Sequence, residues 1–240
     1  NPKSPIVEGF RALRSNLNFL DKKKDNKIYL VTSSVGGEGK TFIASNLAIT
    51  FAKSGKKTLI LGADLRKPKL FTDFFNSNEI GLSSYLTSDQ TISEIITATE
   101  TENLDIITSG PAPPNPAELL VKDKFETLLM DLKNKYDVVI LDSPPLGLVA
   151  DSLLLMDYVN ATLFIVRQGF TKKGLLPYVD DLNKKGRVKN VQLVFNDVKA
   201  GSGVYGYSNY SYGYGYGYGY GYGYGSKSDA DYFDPKTKEG

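Results

Sequence analysis

Short apolar runs alternate with stretches of helical periodicity along most of the chain. Runs rich in Ile, Leu and Val, typical of strands buried on both faces, lie at 28–31, 57–61, 104–107, 138–141, 161–166 and 191–195. Apolar residues recur with a helical period at 6–20, 42–53, 122–134, 150–157 and 174–185, with shorter helical fragments between 70 and 100. Strands that alternate with helices predict an α/β fold with a doubly wound, mostly parallel sheet.

A glycine-rich loop, Ser33-Ser34-Val35-Gly36-Gly37-Glu38-Gly39-Lys40-Thr41, joins the first strand to the helix that we predict to be amphipathic. This order of strand, loop and helix is the context of a P-loop, in which the lysine reaches the β- and γ-phosphates and the hydroxyl ligates Mg²⁺. Glycines allow the left-handed conformations that turn backbone N–H groups toward a phosphate. The strict pattern G-x-x-x-x-G-K-[ST] has glycine where this chain has Ser34, so an ordinary glycine-rich turn is the alternative.

Two aspartates follow predicted strands. Asp64 comes after the strand at 57–61, and Asp142 ends the strand at 138–141. Ligands of open α/β sheets bind beyond the carboxyl ends of the strands. Asp142 therefore matches a Walker B carboxylate, which holds Mg²⁺ directly or through water. Asp64 is a candidate for the Mg²⁺ shell or for activating the incoming nucleophile, with capping of the next short helix as the alternative.

Composition narrows the chemistry. The chain has 240 residues, of which 41% are hydrophobic. Its net charge is +2, from 29 basic and 27 acidic residues, and this small value does not suggest the basic surface of a nucleic-acid-binding protein. Cysteine and histidine are absent, which excludes disulfides, thiolate metal sites and histidine-dependent nucleophiles, and fits a reducing compartment. No apolar run approaches the roughly 18 residues of a membrane span. The start at Asn1-Pro2 reads as a linker, so we expect a soluble piece of a longer protein.

The end of the chain is a low-complexity segment. Residues 201–225 are almost entirely Gly, Tyr and Ser, and they hold ten of the 16 tyrosines: Tyr205, Tyr207, Tyr210, Tyr212, Tyr214, Tyr216, Tyr218, Tyr220, Tyr222 and Tyr224. Without aliphatic residues such a segment builds no core, so we predict a disordered tail. It is either a multivalent substrate or a sticky linker. The predicted units are a helix with connector (1–27), a nucleotide-binding domain (28–200) and this tyrosine-rich tail (201–240).

Glu8, Arg11 and Arg14 recur every three residues in the first helix and so share one strip of its surface. The spacing alone favours a solvated charged face with an internal ion pair.

In this order, the motifs resemble those of the bacterial tyrosine kinases (BY-kinases), cytoplasmic autokinases that control capsule and exopolysaccharide export. The resemblance covers nearly the whole chain. It rests on the charged helix, the P-loop, Asp142, the tyrosine cluster, Ala63-Asp64-Leu65-Arg66-Lys67-Pro68 (called Walker A′), and Pro113-Pro114-Asn115-Pro116 followed by Glu118-Leu119-Leu120. It implies a P-loop NTPase fold of the deviant Walker A type and an ATP-dependent tyrosine autokinase.

The resemblance also implies roles for single residues. Lys40, Asp64 and Asp142 are catalytic, and Thr41, Asp64 and Asp142 hold Mg²⁺. The ATP-binding residues are Gly36, Gly37, Glu38, Gly39, Lys40, Thr41, Phe42 and Asn196. Glu8, Arg11 and Arg14 match the E-x-x-R-x-x-R motif that joins subunits into a ring, which replaces the solvated-face interpretation. The tail of one subunit is phosphorylated in the active site of its neighbour.

Partners and location follow from the same resemblance. It implies a membrane co-polymerase segment that activates the kinase, either fused upstream or separate, and a tyrosine phosphatase. It places the kinase on the cytoplasmic face of the bacterial inner membrane, with no nucleic-acid partner.

One position departs from the family. Walker A′ usually reads D-x-D, and Gly62 stands at its first position, so the carboxylate proposed to help the tyrosine hydroxyl is missing. A general base contributes about 10²- to 10⁴-fold, whereas phosphoryl transfer depends mainly on positioning and charge stabilisation. We therefore expect activity, with Asp64 as the main remaining Walker A′ carboxylate.

The alternatives to a kinase are a deviant P-loop ATPase switch without kinase activity, and a binding module that associates through its Tyr-Gly tail.

Overall fold

The structure, a computed structural model, describes residues 4–20, 26–68, 78–146, 151–188 and 190–199. Its seven strands form one sheet in the order β3-β4-β2-β5-β1-β6-β7. In chain order they are β1 (Lys27–Ser33), β2 (Thr58–Gly62), β3 (Thr97–Ala98), β4 (Leu104–Ile107), β5 (Val138–Asp142), β6 (Ala161–Arg167) and β7 (Val191–Asn196). All neighbours are parallel except β3 and β4. The predicted mostly parallel sheet is confirmed.

Eight α-helices belong to the described residues. They are α1 (Pro5–Leu20), α2 (Lys40–Ala52), α3 (Leu82–Thr87), α4 (Ile92–Ile95), α5 (Pro116–Leu120), α6 (Asp123–Lys135), α7 (Asp151–Leu155) and α8 (Leu176–Lys184). Short 3₁₀ turns, Met156–Tyr158 and Lys173–Leu175, follow α7 and precede α8. Among these residues no helix combines the length and the apolar character that a bilayer crossing requires.

Helices cover both faces of the sheet, which explains the continuous apolar strands. Every residue of β1, β2 and β5 is buried. On one face α2 packs on the sheet and α1 packs on α2, and on the other the core includes residues of α3 to α8. Burial on both faces selects apolar residues at every strand position rather than at alternate ones.

Helix α2 differs from the predicted amphipathic helix. Ile43, Leu47 and Phe51 are buried, but so are Ala44 and Ala48, because α1 lies over the helix on the side away from the sheet. From α1, Phe10 and Leu17 enter the same core. A helix enclosed in this way has no wide polar face.

The strand register brings the predicted site residues to one edge of the sheet. Asp142 pairs with Val31 of β1 on one side and with Gly62 of β2 on the other. The P-loop leaves β1 and the Walker A′ segment leaves β2 at this edge. The fold therefore places Asp142 between the two segments.

Candidate nucleotide-binding site

The P-loop occupies residues 34–39 between β1 and α2. Gly37 and Gly39 have φ of +88° and +95°, in the left-handed region that favours glycine. A Cβ atom on Gly39 would lie 2.2 Å from Nδ2 of Asn196. The left-handed conformation therefore requires glycine immediately before α2, and a side chain there would also displace the amide of Asn196.

Helix α2 begins at Lys40, directly after Gly39. The first N–H groups of a helix have no partner within the helix, and the positive end of its dipole lies beside them. Lys40 and Thr41 stand at this end, and both are partly buried. A loop of glycines that leads into a helix N-terminus is an anion-binding arrangement suited to nucleotide phosphates.

Thr41, at the start of α2, is in contact with Asp142, at the end of β5. Oγ1 of Thr41 donates a hydrogen bond of 2.7 Å to Oδ2 of Asp142, whose side chain is buried at the end of β5. A hydroxyl and a carboxylate are hard oxygen donors of the kind that Mg²⁺ prefers. Among the described residues no cluster of three or more Asp, Glu, His or Cys side chains could hold a metal alone. This donor set fits Mg²⁺, which commonly binds one or two carboxylates together with substrate phosphates.

Glu38 is buried within the P-loop and accepts three hydrogen bonds. Oγ of Ser34 donates at 2.7 Å and the N–H of Val35 at 2.8 Å, and Oγ1 of Thr171 donates from the segment after β6. Burial raises the pKa of Glu38, but the hydrogen bonds from Thr171, Val35 and Ser34 outweigh it and leave this pKa below its usual value. Ser34, which breaks the strict P-loop pattern, thus donates to a carboxylate of the same loop.

Residues at the ends of β6 and β7 donate hydrogen bonds to backbone carbonyls of the P-loop. Nη1 of Arg167 donates to the carbonyl of Gly37 at 2.9 Å, and its Nε donates to Asp197 at 3.1 Å. Nδ2 of Asn196 donates to the carbonyl of Glu38 at 2.9 Å. Asn196, predicted to bind the nucleotide, therefore contacts the loop itself.

Sequence reasoning missed Arg167 and Thr171. The available signal was their position just after an apolar strand, the same signal that selected Asp64 and Asp142.

Asp64 lies in a turn after β2. Its Oδ1 accepts hydrogen bonds from the N–H groups of Arg66 at 3.2 Å and Lys67 at 2.9 Å. Such an Asx turn is close to the capping role considered as the alternative. The N–H of Ala63 donates to the carbonyl of Asp142 at 2.8 Å, so the turn starts beside the end of β5.

The remaining candidates are dispersed around the loop. Gly36 is exposed, and Phe42 is exposed with its ring edge-on to Phe10 at 6.0 Å. In the segment Pro113-Pro114-Asn115-Pro116, Asn115 precedes α5, and its Nδ2 donates to Glu118 at 2.7 Å.

In α1, Glu8 and Arg11 form an exposed ion pair. Nη1 of Arg14 instead donates to the carbonyl of Thr50 in α2 at 3.1 Å. The ten predicted phosphate acceptors, Tyr205 to Tyr224, lie outside the described residues.

A mostly parallel sheet with this loop between β1 and α2, and a carboxylate at the end of the adjacent strand β5, defines a P-loop NTPase. A family model described as an AAA domain matches residues 26–194. The Pyrococcus horikoshii septum site-determining protein MinD, complexed with Mg-ADP, has the same fold, with TM-score 0.60 over 74% of this chain and 72% of that one at 21% identity.

Particular relatives narrow this class. Tyrosine-protein kinase YwqD of Bacillus subtilis is 40% identical over 172 residues, which are 72% of this chain and 73% of that protein. Tyrosine-protein kinase etk of Escherichia coli is 36% identical over 86% of this chain but only 29% of its own length. The solved kinase domain of that enzyme has TM-score 0.78 at 34% identity, over 92% of this chain and 83% of that one. The chain belongs to the bacterial tyrosine-protein kinases.

Proposed function

We propose that the domain transfers the γ-phosphoryl group of ATP to tyrosines in the tail of a neighbouring copy. The observation that carries the proposal is the contact of Thr41 with Asp142 at the start of α2, which assembles a site for Mg²⁺ and phosphates in a chain with ten clustered tyrosines. By resemblance, this phosphorylation regulates polysaccharide polymerisation and export.

The residues of the chain supply binding and orientation. The N–H groups of the P-loop and the N-terminus of α2 bind the phosphates, and Lys40 adds a positive charge beside them. Thr41 and Asp142 would hold Mg²⁺, together with Asp64. When bound, Mg²⁺ neutralises charge on the β- and γ-phosphates. Arg167, Asn196 and Thr171 keep the loop in place through the contacts described above.

The transfer exchanges one P–O bond for another. The phenolic oxygen of the tyrosine bonds to the γ-phosphorus, the bond from that phosphorus to the bridging oxygen breaks, and ADP leaves with the electron pair. The phenolic proton passes to Asp64 or to water. A loose transition state depends mainly on positioning and charge stabilisation, so the glycine at 62 slows this step without abolishing it.

The neighbouring copy is reached through assembly and through the length of the tail. Glu8 and Arg11 are about half exposed on α1 and are available to a second subunit in a ring. A flexible segment of about 20 residues has a root-mean-square reach of roughly 25 Å. The partners we propose are a membrane-anchored activator, fused or separate, and a tyrosine phosphatase. The site of action is the cytoplasmic face of the inner membrane.

A MinD-like ATPase switch is the competing function, because it has the same fold and would use the same P-loop and Asp142. Such a switch would hydrolyse ATP with water, and clustered tyrosines would take no part in its reaction. Intact mass spectrometry after incubation with Mg²⁺ and ATP separates the two, with Lys40→Met as the control.

A series of phosphate additions confined to the tail, and absent from Lys40→Met, supports the kinase. ATP hydrolysis without additions supports the switch.

A further inference from the structure

Five tyrosines lie in the described residues, and they differ sharply in accessibility. Tyr29, Tyr85 and Tyr136 are buried, with 2%, 6% and 1% of their surface exposed. Tyr158 is half-buried, and its ring packs edge-on against Phe125 at 6.1 Å. Tyr178, in α8, is 45% exposed. Within this part of the chain, only Tyr178 presents its side chain openly to a second molecule.

The tail that we propose as acceptor indicates which features such a kinase would recognise. Its tyrosines are flanked mainly by glycine, with some serine and few other residues. Glycine offers no side chain, so flanking side chains contribute little to selecting most of these acceptors. Discrimination requires contacts that differ between substrates, and here the constant contact is the tyrosine itself. Accessibility is therefore the property by which we compare the tyrosines of the folded domain as acceptors.

Tyr178 is also placed beside the nucleotide-binding loop. With Leu175 and Val179 of the same segment it lines a small cavity whose other walls include Ser34 of the P-loop and Leu146, which follows the Asp142 strand. Tyr178 thus lies near the P-loop, at the edge of the sheet where β1 and β5 end.

The local charges tolerate a phosphate at this position. Tyr178 is the third residue of α8, where the positive end of the helix dipole favours added negative charge. The exposed Lys172 and Lys173 precede the helix. The nearby carboxylates of Asp180 and Asp181 are paired with Lys184 at 2.6 Å and Lys185 at 2.7 Å, which lessens their repulsion.

We propose that Tyr178 is a phosphate acceptor within the folded domain, in addition to the tail; this rests on the kinase function proposed above. The phenolic oxygen of Tyr178 bonds to the γ-phosphorus of ATP, the bond to the bridging oxygen breaks, ADP leaves with the electron pair, and the phenolic proton is released to water. The products are ADP and phosphotyrosine at position 178.

Trypsin provides a direct test, because cleavage after Lys173 and Lys184 releases Gly174–Lys184. In this peptide Tyr178 is the only residue with a hydroxyl side chain, so any added phosphate lies on Tyr178. The peptide Tyr136–Arg167 carries both Tyr136 and Tyr158 and is the matched control. The full chain is incubated with Mg²⁺ and ATP and digested, beside Lys40→Met and Tyr178→Phe.

We expect a singly phosphorylated Gly174–Lys184 peptide that is absent from Lys40→Met, with no phosphotyrosine in Tyr136–Arg167. In Tyr178→Phe the number of phosphates on the intact protein falls by one. A phosphorylated tail with an unmodified Gly174–Lys184 peptide overturns the proposal but leaves the kinase function intact. Absence of phosphate from both tail and peptide overturns the kinase function and the proposal with it.

Discussion

Glu38 and Thr171 are 133 residues apart in the chain, yet the buried carboxylate of one accepts the hydroxyl hydrogen of the other. The sequence indicates Glu38 only as a member of a phosphate-binding loop. Its second role depends on β6 lying next to β1, which spacing along the chain does not reveal. Ser34 is a second example. The pattern has glycine at this position, and the serine is explained only by its hydrogen bond to Glu38.

Thr171→Val tests the link between the P-loop and the segment after β6. The substitution leaves a buried carboxylate short of one donor, which costs about 1–3 kcal/mol of the free energy of unfolding. Oγ1 of Thr171 also accepts the N–H of Arg167 at 2.8 Å, so both bonds are lost together. Urea unfolding measures the loss, and Thr171→Ser, which keeps the hydroxyl, is the control. Equal stability of the valine and serine variants contradicts the link.

Glu38 also makes stability depend on pH. Hydrogen bonds from Thr171, Val35 and Ser34 lower its pKa below 4.5 in spite of burial, which acts in the opposite direction. A lowered pKa in the folded protein contributes stability above the unfolded pKa, and this contribution is lost as the pH falls through the folded pKa. We expect the urea midpoints of the wild type and Glu38→Gln to differ near neutrality and to converge as the pH falls through the lowered pKa of Glu38 in the folded protein. A constant difference across this range excludes Glu38 as the titrating group.

Asp64→Asn tests the remaining Walker A′ carboxylate. Asparagine keeps the oxygen that accepts the N–H groups of Arg66 and Lys67, so the turn survives while the charge is removed. We expect autophosphorylation to slow by about 10²-fold or more, the usual contribution of a base or charge-stabilising group. Quench-flow phosphorylation gives the rate, and retained ATP binding shows that the loop is intact. An undiminished rate in this variant removes Asp64 from the mechanism.

At the scale of elements, long segments were predicted well and cross-sheet contacts were not. β5 lies where the apolar run 138–141 predicts, because a strand buried on both faces leaves an uninterrupted signal. β3 has two residues and gives no period to detect. The approach of Asn196 to Gly39 follows from the order β1-β6-β7, which local sequence does not encode. The contact between Thr41 and Asp142 was predictable. The P-loop follows β1, Asp142 ends β5, and these two parallel strands are neighbours.

The charged residues of α1 divide into two groups, and their substitutions should differ accordingly. Arg14 donates to Thr50 in α2, so Arg14→Ala should lower the free energy of unfolding by about 1–3 kcal/mol. Arg11→Ala breaks an ion pair whose side chains are 49% and 58% exposed, which changes stability by less than about 1 kcal/mol. If Glu8 and Arg11 face another subunit, Arg11→Ala should nevertheless reduce assembly.

Urea unfolding and light scattering on the same samples distinguish these effects. An Arg11→Ala protein that assembles like the wild type means that the exposed pair is only a surface ion pair. A fully stable Arg14→Ala protein means that the bond to Thr50 does not anchor α1.

At the scale of the whole molecule, the net charge is small, and phosphorylation of the tail would make it strongly negative. The chain has net charge +2. Each phosphotyrosine adds about −1.5 to −2 charges, so modification of all ten tail tyrosines adds roughly −15 to −20. In the proposed ring, this charge on neighbouring subunits is mutually repulsive.

We therefore expect full phosphorylation to dissociate the assembly into smaller species. Sedimentation velocity before and after incubation with Mg²⁺ and ATP measures the change, and a variant with all ten tail tyrosines replaced by phenylalanine should keep its size. Because exposed charges are screened over about 8 Å at physiological ionic strength and over shorter distances in concentrated salt, added salt should partly restore the larger species. An oligomer of unchanged size after complete phosphorylation means that charge on the tail does not control assembly.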